Sequence, residues 1–165
     1  MQDEARLWSY AVAAGDSLTG EWNIHDFEDD SYHLCVYGPN GFFREFKGDM
    51  NDPALDITCE YERSKLDKKN LTGNIQLKIV NAGDSRTCIV EIKDNAYKSG
   101  DHTISIGSGG SKTGQSTHII DLSKSSGWYD FTLKITGQAI FEKRYAGRVE
   151  TGKHSISDPV MGRVI

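Results

Sequence analysis

Apolar residues recur at every second position in one segment of this chain after another. Leu55, Ile57, Cys59 and Tyr61 alternate with Asp56, Thr58 and Glu60, and the same period runs through Ile75 to Ile79 and Cys88 to Ile92. It returns in Ile104-Ser-Ile106, in Ile120-Asp-Leu122 and from Tyr129 to Ile135. One buried face and one wet face is the mark of antiparallel strands in a sandwich. Asn81-Ala-Gly83, Lys98-Ser-Gly100, Ser108-Gly-Gly110, Ser125-Ser-Gly127 and Thr136-Gly137 punctuate these runs at the roughly ten-residue spacing of an all-β sandwich or barrel. No segment holds a helical period over three turns. The pattern predicts strands at 54–63, 73–80, 87–93, 102–107, 116–122, 128–136 and 140–147. That number and length of strands match an immunoglobulin-like antiparallel β-sandwich. The inward residues are then Leu55, Ile57, Leu77, Ile79, Val90, Ile92, Ile104, Ile106, Leu122, Phe131, Leu133 and Ile135.

The first 48 residues repeat, in weakened form, a stretch from the second half of the chain. Tyr10-Ala-Val12 and Gly15-Asp-Ser17 answer Ile104-Ser-Ile106 and Gly109-Gly-Ser111, and Tyr32-His-Leu34-Cys-Val36 answers Tyr129-Asp-Phe131-Thr-Leu133. Phe42-Phe-Arg44-Glu-Phe46-Lys-Gly48 answers Phe141-Glu-Lys143-Arg-Tyr145-Ala-Gly147. The offset grows by a few residues along the way, as small loop insertions produce. Each repeat is one structural unit, so the expected organisation is the second half of a first β repeat over 1–48, a linker at 49–53, a complete second repeat over 54–149 and a tail over 150–165. Residues 54 to about 100 have no upstream counterpart, which suggests a piece of a longer protein. Extra front strands are expected near 7–13, 18–24, 31–37 and 42–47. Half a sandwich cannot bury its own apolar face, so these strands must pack on the complete unit, pair with another copy or stay partly disordered; packing on the complete unit is favoured.

Charge narrows the partners. A formal net charge of -5 over 165 residues leaves no concentrated basic face for nucleic acid, and no apolar run approaches the ~20 residues of a membrane span. Three cysteines without a Cys-x-x-Cys fit neither a disulfide framework nor a zinc site. Cys35 falls outward and Cys59 and Cys88 inward, with unbridged thiols favoured over a Cys59–Cys88 bridge across neighbouring strands. The five histidines, His25, His33, His102, His118 and His154, lie in separate turns and strands with no nucleophile motif. Asp49, Asn51, Asp52 and the Asp26 to Asp30 stretch offer hard oxygens suited to calcium, yet no Asp-x-Asp-x-Asp-Gly loop is present, and a solvated acidic connection is the simpler reading.

Five short motifs occur in order: Tyr37 to Phe46, Asp94-Asn-Ala-Tyr97, Gly127-Trp-Tyr-Asp130, Ala146 to Gly152, and Ser157-Asp-Pro159. Together this set resembles the carboxy-terminal region of bacterial phosphocholine-preferring phospholipases C. The resemblance implies a catalytic domain followed by two copies of a small β module, this chain being the end of the first copy and all of the second. It implies a secreted or periplasmic parent that hydrolyses phosphatidylcholine or sphingomyelin, with the nucleophile upstream, so that this chain carries no catalytic residue; no cofactor or metal is expected from its residues. Its expected partners are the upstream catalytic domain and the missing half of the first repeat, with a phospholipid surface as a further candidate.

Phe43 aligns with Glu142 and is the outward member of the Phe42–Phe43 pair. Beside Arg44 it is a candidate contact for lipid, for the catalytic domain or for the missing repeat half, the last two being favoured. Trp8, Trp22 and Trp128 are open to the same partners or to a sugar; for Trp128, nominally outward, packing at a sheet edge is favoured. Lys143, Arg144, Arg148 and Lys153, echoed by Arg44 and Lys47, form a basic group that either receives phosphate head groups or makes ordinary surface ion pairs worth ~0 to 1 kcal/mol each. Ion pairing is favoured. A stand-alone carbohydrate- or protein-binding sandwich is the alternative function.

Overall fold

The computed structural model describes residues 6–83 and 85–161. Nine strands follow one another: β1 (Ser31–Tyr37), β2 (Phe43–Asp49), β3 (Leu55–Arg63), β4 (Leu71–Asn81), β5 (Cys88–Asp94), β6 (His102–Ile106), β7 (Gln115–Ile120), β8 (Trp128–Ile135) and β9 (Gln138–Arg148). They form a six-stranded antiparallel sheet in the order β1-β2-β9-β8-β5-β6 and a three-stranded one in the order β3-β4-β7. Within the second repeat, the first, second and fifth strands face the third, fourth, sixth and seventh. This is an immunoglobulin-like sandwich with its fourth strand paired to the third.

The period-two pattern fixes the core. Val90, Ile106, Ile75, Leu77, Ile79 and Leu133 have no solvent exposure, and every residue expected inward is buried except Ile104, which packs half-buried against the cluster. Phe131 stacks on Tyr145 with ring centroids 5.6 Å apart, and Phe46 of β2 meets Tyr145 edge to face at 6.1 Å. An aromatic stack therefore crosses from the second repeat into the first. Cys59 lies on the small sheet and Cys88 on the large one, and none of the three cysteines forms a disulfide. The bridge considered from the sequence is absent because these strands are not neighbours.

Strand register bears directly on the repeat. β1 and β2 set Tyr32 opposite Gly48, Leu34 opposite Phe46 and Cys35 opposite Glu45. β8 and β9 set Tyr129 opposite Gly147, Phe131 opposite Tyr145 and Thr132 opposite Arg144, the same pairings in the second copy. The two hairpins join through β2 and β9, from Phe43 opposite Ala146 to Lys47 opposite Glu142. Phe43 is the counterpart of Glu142, and Lys47 of Ala146, so each strand meets its own likeness. Glu45 faces Arg144, its counterpart, on a local pseudo-two-fold axis, the self-complementary geometry of an isologous interface.

The first two front strands do not form. Residues 6–23 carry no strand and are exposed throughout, which corrects the expectation of strands at 7–13 and 18–24. Their counterparts explain why: β6 is held by β5, and β7 by β4. Both β4 and β5 lie in the stretch without an upstream copy, so residues 10–12 and 18–24 lack the strands that would complete their ladders. Unpaired backbone then goes to water. The hairpin β1–β2 keeps its own partner and joins the complete unit by pairing with β9. Trp8 and Trp22 meet edge to face at 5.7 Å and remain half-exposed.

Candidate functional site

The large sheet outgrows the small one. Along the inner face of β1 and β2, Phe46 packs against the core and Tyr32 bonds to Asp52, but the face is less covered toward Val36 and Phe42. Val36 is 49 % exposed and Phe42 36 %, whereas their counterparts Leu133 and Phe141 are 0 % and 3 % exposed. Leu34 and Phe46, answering the buried Phe131 and Tyr145, are half-buried. A cleft of about 650 Å³ opens where this face meets the small sheet, lined by Phe42, Arg44, Cys59, Tyr61, Arg63 and Lys65 among others.

Arg44 seals the seam rather than reaching into solvent. Its Nη1 donates to the carbonyls of Phe43 and Ala146, both at 2.8 Å, and its Nη2 donates to the Tyr129 hydroxyl at 3.0 Å. The guanidinium lies 4.2 Å above the Phe42 ring. Burial raises the Tyr129 pKa to about 12, against the opposing pull of Arg44. Lys143, the counterpart of Arg44, turns inward with Nζ 5.4 Å from the Phe141 ring centroid, and burial lowers its pKa. Both copies thus place a cation over the aromatic ring two residues before it.

The remaining candidates separate. Phe43 lies half-buried on the outer face between Tyr37, at 5.0 Å, and the Arg144 guanidinium, 5.5 Å from its ring centre; Phe42, on the inner face at the rim of the cleft, is the more exposed of the pair. Trp128 stacks on Tyr97 at 6.5 Å, carries Arg148 over its ring at 5.7 Å and donates from Nε1 to the Ile156 carbonyl at 3.3 Å. The turn at Gly38 to Gly41 crosses close by. Gly41 has φ +73, and a Cβ there would come within 3.2 Å of the Trp128 ring. Trp128 and Arg148 are therefore together, while Lys143 and Arg144 point to opposite faces of β9. The basic residues of 143–153 form no single patch.

Across the outer face runs a charge ladder. Arg144 grips Asp130 through Nε and Nη2 at 2.8 and 2.6 Å, and Lys47 Nζ lies 3.0 Å from both Glu45 and Glu142. Glu142 also meets Lys134 at 3.0 Å. Hydrogen bonds to Glu142 and Glu45 raise the Lys47 pKa. At the β1 end His33, Cys35 and Glu45 converge: His33 Nε2 lies 2.6 Å from Glu45 Oε1 and 3.6 Å from Cys35 Sγ. The three possible ligand atoms lie within 4.8 Å of one another. Burial would raise the Glu45 pKa, but hydrogen bonds from Lys47 and His33 outweigh it and hold it below the usual value. Sequence reasoning missed this group. Its signal was His-x-Cys on one strand, which puts both side chains on one face, but the third member depends on cross-strand register.

Other groups hold little chemistry. The rings of His102 and His118 lie 4.5 Å apart, and burial, then the charge of His102, lowers the His118 pKa. Asp49 and Asp52, weighed as calcium ligands, spend oxygens within their own turn: Asp49 accepts from the Asn51 amide, and Asp52 from the Asp49 amide and the Tyr32 hydroxyl. His25 pairs with Asp30 at 2.9 Å. Among the described residues no helix is long and apolar enough to cross a membrane.

Comparison with known proteins agrees with the five ordered motifs. Residues 1–49 and 55–148 match the family described as bacterial phospholipase C, C-terminal domain. A non-hemolytic phospholipase C of Pseudomonas aeruginosa is 34% identical over 84% of this chain, and one of Burkholderia pseudomallei is 35% identical over 93%. The hemolytic phospholipase C of Pseudomonas aeruginosa is 34% identical over 79% of it. The matched stretches make up 20%, 21% and 17% of those three proteins, so the chain spans about a fifth of its relatives' length. On this match the chain belongs to the bacterial phospholipase C C-terminal domain family.

Proposed function

We propose that this chain is a noncatalytic accessory module of a secreted or periplasmic phospholipase C acting on phosphatidylcholine or sphingomyelin, and that the open inner face of β1 and β2 docks on the preceding part of the same polypeptide. The observation that carries the reading is the mismatch between equivalent positions. Val36 and Phe42 are partly exposed where Leu133 and Phe141 are core. A face built to core pattern needs a cover of the same kind, namely strands equivalent to β3, β4 and β5. Such strands would also supply the ladders that residues 10–12 and 18–24 lack. The domain boundaries at 48–54 and 149–150 follow from this organisation. Phe43 and Trp128 serve packing on this reading, and Arg44, Lys143 and Arg148 serve the seam and the sheet end rather than phosphate binding.

The test is co-sedimentation of the purified chain with phosphatidylcholine vesicles, run beside an assay for released choline phosphate. The expected result is neither binding nor turnover. Vesicle binding that falls on Val36→Asp would make the open face a lipid contact and overturn the docking reading; turnover would overturn the noncatalytic one.

A further inference from the structure

The cluster at His33, Cys35 and Glu45 has the composition of a metal site and the wrong geometry for a catalytic relay. In a Cys–His–carboxylate relay the thiol and the carboxylate bond to different nitrogens of the ring. Here both converge on Nε2. What an imidazole nitrogen, a thiol sulfur and a carboxylate oxygen within 4.8 Å of one another do fit is a cation.

We propose that His33 Nε2, Cys35 Sγ and Glu45 Oε1 form a three-ligand site for zinc(II) on the outer face of the large sheet, with a fourth position open to water. Tetrahedral bonds of about 2.0 to 2.3 Å put ligand atoms ~3.3 to 3.8 Å apart. The sulfur and nitrogen already stand 3.6 Å apart, and Nε2 and Oε1 must part from 2.6 Å by about an ångström. Imidazole, thiolate and carboxylate together suit zinc rather than calcium or magnesium, which take oxygens. Binding releases the Cys35 proton to solvent and displaces Lys47 from Glu45, and Lys47 keeps Glu142 at 3.0 Å. Cys35 faces Glu45 directly across the ladder, and His33 shares their face, so the strand pair presets the arrangement.

The second copy sharpens the case. At the positions of His33, Cys35 and Glu45 it carries Asp130, Thr132 and Arg144, of which Asp130 and Arg144 close as a bidentate ion pair. The same scaffold needs only an ion pair there, and the first copy holds an imidazole, a thiol and a carboxylate, all zinc ligand types, instead. The two sets sit side by side, because Glu45 and Arg144 face each other on the pseudo-two-fold axis.

The test uses the whole chain, reduced and freed of metal by a chelator, titrated first with cobalt(II) and then with zinc(II). One equivalent of cobalt should give a thiolate-to-metal charge-transfer band that zinc removes. Cys35→Ser should abolish the band, and Cys35→Ser and His33→Asn should each weaken zinc binding at least about tenfold, while Cys59→Ser leaves it unchanged. A readout without variants is alkylation of Cys35, which zinc should slow at least about tenfold. No band at stoichiometric cobalt, a smaller loss of zinc affinity in either variant, or alkylation unaffected by zinc would overturn the site.

Discussion

Phe131 and Leu133 show what one position contributes. Both are essentially without exposure, Phe131 between Tyr129 and Tyr145 and Leu133 in the centre of β8. Replacing either with alanine should cost ~2 to 5 kcal/mol, the lost transfer energy plus the cavity left behind. Denaturant unfolding checks this; a loss under about 0.5 kcal/mol, the scale of a surface change, would mean the strand is out of register. Such positions are legible in the sequence because period two assigns a face before any partner is known. Arg44 and the zinc ligands were less legible. Arg44 occupies an inward position in the alternation of β2, but only the fold shows that two carbonyls and a tyrosine hydroxyl receive its guanidinium. His33 and Glu45 meet only because the turn after Tyr37 sets the register of β1 on β2, and the pattern along one strand carries no information about the next.

Among the elements, the contrast lies between sequences that resemble one another and behave differently. Residues 102–106 and 115–120 are strands, while their counterparts in 6–23 are not. The difference is the partner, since a strand without a neighbour leaves its amides to water. Hydrogen exchange should therefore find amides of 10–12 and 18–22 unprotected and those of β6 and β7 protected by paired ladders. Protection in 6–23 comparable to that in β6 would show that these segments find a partner within the chain. Alternation could not distinguish the two sets, because it reports only the capacity to form a strand. The sequence predicts strands at 7–13 and 18–24 even though 54 to about 100 has no upstream match, because pairing partners are not visible along a single strand.

At the scale of the molecule, a complete sandwich shares one sheet with half of another. The seam is built on a pseudo-two-fold between β2 and β9, with aromatic packing on the inner side and the Lys47 to Glu142 pair on the outer. This arrangement buries the core of the second repeat and leaves that of the first open along Leu34, Val36 and Phe42. Docking of the preceding polypeptide on that face is the central claim, and a single substitution measured in two contexts tests it most directly. Val36→Asp should change the unfolding free energy of this chain by less than about 0.5 kcal/mol, because Val36 is half in water. In a longer polypeptide that carries the proposed preceding strands the same change should destabilise the module by ~2 kcal/mol or more, because an aspartate would be buried without a partner. An effect equally small in both contexts would contradict the account and leave the inner face of β1 and β2 uncovered in the longer polypeptide.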